Sequence, residues 1–583
     1  MNATLKKIIL AASVLAVAGL SVLYLPPVKD FAIALVERLK NDDISDNFWK
    51  HQMSAFASCG IIFIAILNLI LFTKKGRELF NDFCQAVSKE TRFIIANKKY
   101  LIFLAAIYLL GYFTIIRGNF CYRTIDDLNR QLEGVREWVN WYRYFDEFGS
   151  ILLHTSMRLI DIAPLTQLIA VFFVALASFM AVQAATNEKM GYLACLASLP
   201  IGLYPYFLSN FSYRYDSPYM ALSIFACVLP FVFKSQTRDY IIASVIGLFA
   251  MCTSYQASSG IYIVMAVLCA ARMRQDGKSW SQIGKFVLAS ICCYIASLLL
   301  FKFIFMEREF KPGAIDERMS LSNVIQNAPK YVAIIWSGLG KSALKIFALL
   351  ILALNIVAAA FSSKKGRLMN VIVTLAFYAL ALPLSYGVYM AMGTPQWHSR
   401  ALYGIGTFFA AASLLLLSLS NNNGKPLRIV SRLAVFAASY CCFAYAFAFG
   451  NAQSQQVKQA EFRCALLLED LSKIMPAQDN GEPSEILVAN KIGYAPAVQN
   501  LIKVYPLTEI CVDIYADDRD STQLILNSYG FFEFADGKSH NLQKQDLPVL
   551  LDTAYHTIQG QDNKFLVTFK EPDLKVIKTR DFY

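Results

Sequence analysis

Residues 100–116 (YLIFLAAIYLLGYFTII) contain no Asp, Glu, Lys, Arg or His, and runs of this kind recur along most of the chain. About 20 helical residues cross the hydrocarbon of a bilayer, and lipid offers the backbone no hydrogen-bond partners, so such runs fold as membrane helices. Candidate spans lie near 8–25, 53–73, 100–117, 163–184, 191–208, 217–233, 239–255, 258–272, 286–303, 343–362, 368–391, 401–419 and 428–449. Only 16% of residues are charged, against about 25% in soluble globular chains. The expected fold class is an all-α polytopic membrane protein of 13 transmembrane helices with a small C-terminal α/β extracytoplasmic domain.

The net charge of +12 would suggest nucleic acid in a soluble protein. Here it follows the bias of Lys and Arg toward cytoplasmic loops. Residues 74–99 hold Lys74, Lys75, Arg77, Lys89, Arg92, Lys98 and Lys99 and are read as cytoplasmic. Alternation then puts Arg272/Arg274/Lys278/Lys285, Lys364/Lys365/Arg367 and Lys425/Arg428 on the same side. The other side receives 118–162, 209–216, 304–342, 392–400 and everything after about 450. Lys6-Lys7 before the first apolar run resembles a signal peptide, but the run continues to Leu25, so a retained anchor with a cytoplasmic N-terminus is expected.

Three parts emerge: a two-helix membrane hairpin over 1–99, a membrane core over 100–450 and a soluble domain over 451–583. In the last, Glu461–Ile474 has helical periodicity. Ile486–Ala489, Leu501–Val504, Ile510–Tyr515 and Phe565–Phe569 read as short strands. Most cysteines fall in spans, where they act as small hydrophobes. A Cys464–Cys511 bridge stays open, and no Cys/His spacing suits a metal.

Polar chemistry gathers at one membrane face. After the 100–117 span come Arg123, Asp126, Asp127, Arg130, Glu133, Arg136 and Glu137. Leu128, Leu132, Val135, Val139 and Tyr142 recur at helical spacing, which predicts an amphipathic surface helix over 126–144. Asp126 then caps that helix, or one of the two acids serves as general base toward an acceptor hydroxyl. A second island, Asn210–Pro218, holds Arg214, whose planar fork suits phosphate, and Asp216, suited to sugar hydroxyls or to orienting Arg214. The alternative is an interfacial anchor in which Arg214 and Asp216 pair with each other. Tyr255-Gln256 occupies a tight turn on the same side and suits sugar hydroxyls. Thr394–Arg400 supplies His398 and Arg400, the latter a phosphate contact. The mixed-charge loop 306–330 is placed to fold over the site.

Together these segments resemble the polytopic O-antigen glucosyltransferases of the phage-conversion type (the glucosyltransferase II family) within the GT-C superfamily. The resemblance runs from about Tyr100 to Phe449 and rests on four motifs. They are Asp126-Asp127-x-x-Arg130-x-x-x-Gly134-x-x-x-Trp138, Asp161-x-x-Pro164-Leu165, Ser212-Tyr-Arg-Tyr-Asp-Ser217-x-x-Met220 and Tyr255-Gln256. Where the family pattern has a Gly-Arg pair beyond Trp138, this chain reads Asn140-Trp141-Tyr142-Arg143. The resemblance implies transfer of a sugar, usually glucose, from undecaprenyl phosphate to a polysaccharide acceptor at the periplasmic face of a bacterial inner membrane. It implies an acid of the first external loop, Asp126 or Asp127, as catalytic residue. It further implies Arg214, Arg400 and Arg130 at the donor phosphate, with Asp216, Tyr255, Gln256, Asp161 and His398 toward sugars. An inverting mechanism with no metal or other cofactor is expected. The expected partners are the lipid-linked donor, the polysaccharide acceptor and membrane lipids, with no nucleic acid.

The rival reading of a different class is a transporter or flippase of a lipid-linked sugar. Transporters commonly place ionisable groups within spans and show repeats or broken helices. The apolar runs here carry almost none away from their ends. An acyltransferase would need a partnered His or Ser nucleophile, and the chain has only five His.

Overall fold

A computed structural model describes residues 3–22, 46–119, 124–306, 319–361, 366–475, 485–512, 547–561 and 563–570. Cys121, Arg123, residues 307–318 of the 306–330 loop, Lys364, Lys365 and residues 513–515 of an expected strand lie outside them.

Among the described residues, seven helices are long and apolar enough to cross a membrane, or nine if each of two bent pairs counts as one span. They include Leu165–Thr186, Trp280–Phe305, Ala343–Phe361, Arg367–Leu384 and Gly404–Asn421. Ser217–Val228, continued by a 3-10 turn over Leu229–Phe233, is shorter. Lipid tails are as apolar as leucine, so helices associate here by close packing and buried hydrogen bonds rather than by water exclusion. Leu165–Thr186, with its run of small residues, packs against Ser217–Val228. Tyr112 donates its hydroxyl to the Gly202 carbonyl at 2.6 Å, and Tyr108 shares a hydrogen bond with Ser178 at 2.6 Å.

Another close approach involves Gly260 of the helix Ser259–Gln275. A Cβ there would stand 2.0 Å from the Ser385 carbonyl oxygen, and one on Gly404 would stand 2.1 Å from the same atom. Backbone cannot swing aside as a side-chain end can. Gly260→Ala is therefore expected to cost about 1–3 kcal/mol, the usual range for overpacking. Thermal unfolding in detergent checks this against Gly284→Ala, which meets nothing within 4 Å.

The expected span over 191–208 is bent. Pro205 lacks an N–H and disfavours a helical residue before it; Tyr204 accordingly sits at φ −68°, ψ 141°. The axes of Tyr192–Leu203 and Pro205–Ser212 differ by 60°. The bend carries residues 209–216 inward, and Ser209, Asn210, Arg214 and Asp216 are all buried.

The amphipathic helix expected over 126–144 does not form. A π-turn over Thr124–Leu128 leads to the short helix Asn129–Glu133, then a 3-10 turn over Trp138–Trp141 and the helix Tyr144–His154. Positive φ at Gly134 (67°), Glu137 (49°) and Tyr142 (59°) breaks the run. Gly134 suits its place because this backbone region is nearly free of cost for glycine alone, and its carbonyl accepts from Leu159 N at 2.9 Å. Arg130 and Trp138, which lie off the apolar stripe of that expected helix, are buried. The short helix that does form, Asn129–Glu133, has Leu128 rather than Asp126 at its N-cap.

Residues 74–96 form a helix, Lys74–Ala96, bent 98° from the apolar helix before it. At the other end, Lys425–Ile474 is one 50-residue helix that passes the composition boundary at Gly450 without a break. Beyond it, the described residues hold four strands, β1 (Glu485–Val488), β2 (Val549–Asp552), β3 (His556–Gln561) and β4 (Lys564–Phe569), in the order β1-β4-β3-β2. β1 and β4 run parallel and the other pairs antiparallel. Two expected strands are corrected: 501–504 belongs to the helix Pro496–Val504, and Ile510 and Cys511 to Thr508–Cys511. The apolar residues of 496–504 recur at helical rather than alternating spacing, and Pro496 starts the helix. Cys464 and Cys511 are buried and not bridged to each other.

Candidate active site

The π-turn after the helix Phe113–Gly118 separates the two acids. Asp127 is fully buried and accepts the backbone N–H of Arg214 at 3.0 Å. Asp126, 30% exposed, faces a cavity of about 460 Å³ and takes the Arg400 guanidinium at 3.1 Å. Arg400 comes from the 3-10 turn Ser399–Ala401, whose carbonyl at Arg400 is held by Asn210 Nδ2 and the Tyr255 hydroxyl, each at 3.2 Å. The inward bend at Pro205 and the turn after residue 254 thus meet at the backbone carbonyl of Arg400.

Behind Asp126, Arg130 pairs with Asp216, both nine-tenths or more buried. Trp138 donates its indole N–H to the same carboxylate, and Arg130 lies 4.4 Å from the centre of that indole. A buried charge pair holds only when its remaining hydrogen-bond capacity is used; the indole meets that need. Arg143 stands 3.9 Å from Asp216 and 4.4 Å from the centre of the Tyr255 ring. Asp146, on the helix Tyr144–His154, is buried close by. Burial, reinforced by Asp216 and opposed by Arg143, holds its carboxyl well above the ordinary carboxylate range.

The cavity brings together Asp126, Arg130, Asp216, Tyr255, Gln256, His398 and Arg400 from the sequence candidates. Asp127, Arg214 and Asp161 are not in its lining. Arg214 pairs with Asp161 at 2.9 Å and donates to Asn119 at 2.9 Å. The expected pairing of Arg214 with Asp216 is therefore replaced by two crossed pairs, Arg130–Asp216 and Arg214–Asp161. Gln256 donates to the carbonyls of Trp141 and Cys252, at 3.2 and 2.9 Å, tying the turn to the first loop.

Several lining residues carried no assignment from sequence: Arg143, Trp141, Tyr142, Tyr213, Tyr389 and Lys302. Arg143 and the aromatic residues before it stood in a stretch already marked as polar and interfacial. Lys302, in the last turn of an otherwise apolar span, had no signal beyond its own charge. Four cationic side chains (Arg130, Arg143, Lys302, Arg400) face the cavity with two carboxylates (Asp126, Asp216), so the site is net positive and suits an anionic ligand. Among the described residues no group of three or more His, Cys, Asp or Glu converges as a metal site.

The family model of the glucosyl transferase GtrII matches residues 118–417, just over half of the chain, from the first polar loop into the helix Gly404–Asn421. The chain belongs to the GtrII glucosyl transferase family. Residues that carried the resemblance, from Asp126 to Gln256, all lie inside the matched region. An uncharacterized 55.3 kDa protein in the gtrB 5′ region of Salmonella phage P22 is 26% identical over 190 residues. That alignment covers 32% of this chain and 38% of the phage protein's own length. No solved structure matches. The cavity is thus the candidate site of this GtrII member, and of the two adjacent acids of the first loop Asp126 is the one that lines it.

Proposed function

We propose that the protein transfers a hexose, glucose in the simplest case, from undecaprenyl phosphate to a polysaccharide such as O-antigen. The reaction belongs to the periplasmic face of a bacterial inner membrane. The chain then follows the 13-span topology expected from its apolar runs and basic loops, with a cytoplasmic N-terminus and a periplasmic C-terminal domain over 451–583. A GT-C-like inverting displacement suits this arrangement. The acceptor hydroxyl attacks the anomeric carbon, Asp126 takes its proton, and the bond from that carbon to the phosphate oxygen breaks. The lipid phosphate leaves with one more negative charge than it had as the glycosyl ester.

The observation that carries this reading is the position of Asp126 at a cavity with Arg130, Arg143 and Arg400. Cations preset where charge develops lower the barrier without reorganisation cost.

The test is transfer of labelled glucose from undecaprenyl phosphate-glucose to polysaccharide by the purified full chain in lipid. Product that depends on both substrates supports the reading; translocation of the lipid-linked sugar without any transfer would overturn it. With side-chain cations supplying the charge, EDTA treatment is expected to leave the initial rate unchanged. A rate that falls with EDTA and returns with Mg²⁺ or Mn²⁺ would remove the metal-independent part.

A further inference from the structure

The four cations of the cavity are not equally available. Arg130 is held by Asp216 and Arg400 by Asp126, while Arg143 lies near Asp216 and against Tyr255. Lys302 makes no hydrogen bond or ion pair among the described residues, yet its side chain lines the same space. It is exposed and sits in the last turn of Trp280–Phe305.

Its neighbours set its meaning. Leu298 and Leu299, four and three residues earlier on the same helical face, also line the cavity, as does Met306 four residues later. On the remaining surface of this helix Leu300 is 45% and Phe303 77% exposed, so the helix borders lipid. Phe301 meets Tyr142 edge-on at 6.4 Å, which joins this wall to the loop that bears Arg143. One side of the cavity is therefore apolar and open toward lipid, the other is charged, and Lys302 stands at the join.

A lipid phosphate has the same division: an alkyl chain, then at once an anion. We propose that Lys302 is a positioning residue for the lipid carrier, its ammonium on the phosphate and the Leu298–Leu299 wall against the first isoprene units. This rests on the polyprenyl phosphate donor proposed above and adds to it the residue that recognises the carrier. Lysine suits the place because its flexible apolar stem lies along the hydrocarbon wall while the charge reaches the polar side. The carboxylate-bound arginines face the charge that develops as the phosphate leaves; the uncommitted ammonium adds net positive charge for the same anion.

The test uses the full chain, with equilibrium retention of radiolabelled undecaprenyl phosphate and, separately, undecaprenol. Lys302→Met keeps the stem and removes the charge; Lys302→Arg keeps the charge. Loss of one charge-assisted contact is expected to weaken undecaprenyl phosphate binding about tenfold in Lys302→Met. Lys302→Arg should bind as wild type does, and undecaprenol should bind all three alike. Equal phosphate binding by wild type and Lys302→Met would overturn the assignment while leaving the donor intact. An equal loss of undecaprenol binding in Lys302→Met would also overturn it, since the effect would then be on packing. If wild type retains the phosphate no better than the alcohol, the donor reading falls and the role of Lys302 falls with it.

Discussion

Asp126→Asn is expected to lower sugar transfer by about 10²–10⁴-fold, the usual contribution of a positioned general base, while the donor still binds. The amide keeps the size of the carboxylate and an oxygen for Arg400 at 3.1 Å, but it cannot take a proton. Asp127→Asn should behave differently. Asp127 is fully buried and its carboxylate receives the Arg214 N–H, a contact that an amide oxygen can keep. Most activity should therefore survive. Single-turnover transfer of labelled glucose, measured beside donor binding, separates the two variants. Wild-type rates in Asp126→Asn would end the case for a base at this position; a large loss confined to Asp127→Asn would move it one residue along.

The second large effect concerns stability. Asp216→Leu leaves the Arg130 guanidinium nine-tenths buried with its main counter-charge gone and strips the Trp138 indole of its acceptor. Breaking such a pair from one side costs about 3–5 kcal/mol, because the orphaned charge cannot be solvated. Removing both charges costs far less, since a buried pair contributes little beyond its own desolvation. The double variant Arg130→Met with Asp216→Leu should recover most of the thermal midpoint lost by Asp216→Leu, and yet not recover transfer. Recovery of both would make the pair purely structural. A midpoint in Asp216→Leu equal to that of wild type would show that water reaches Arg130.

Some of this was legible before folding. The apolar runs near 163–184, 286–303, 343–362 and 401–419 each became a long helix, because length and apolarity are local properties that lipid reads directly. The polar islands at 126–144, 210–218, 255–256 and 394–400 all reach one neighbourhood, because each sits at a helix end on one side of the alternation. The surface helix over 126–144 failed for a physical reason. Spacing marks which residues share a face only while φ stays helical, and Gly134, Glu137 and Tyr142 take positive φ. In the tail, Leu501–Val504 reads as a strand only while taken by itself; it belongs to a helix that Pro496 starts and in which Val498 is buried.

Sequence alone determined the membrane class, the gathering of charge at one face and the motifs of the GtrII family. These depend on residue identity over short stretches and survive any detail of packing. Tertiary structure decided which charge meets which. Arg214 goes to Asp161 and Arg130 to Asp216, although Arg214 and Asp216 are two residues apart in the chain. It also decided that Asp126 rather than Asp127 faces the cavity, and that Lys302 joins it from a span with no other charge in its last turn. The reason is geometric. An ion pair is settled within about 4 Å, whereas a bend of 60° before Pro205 and a broken loop after Glu133 move their side chains much farther than that.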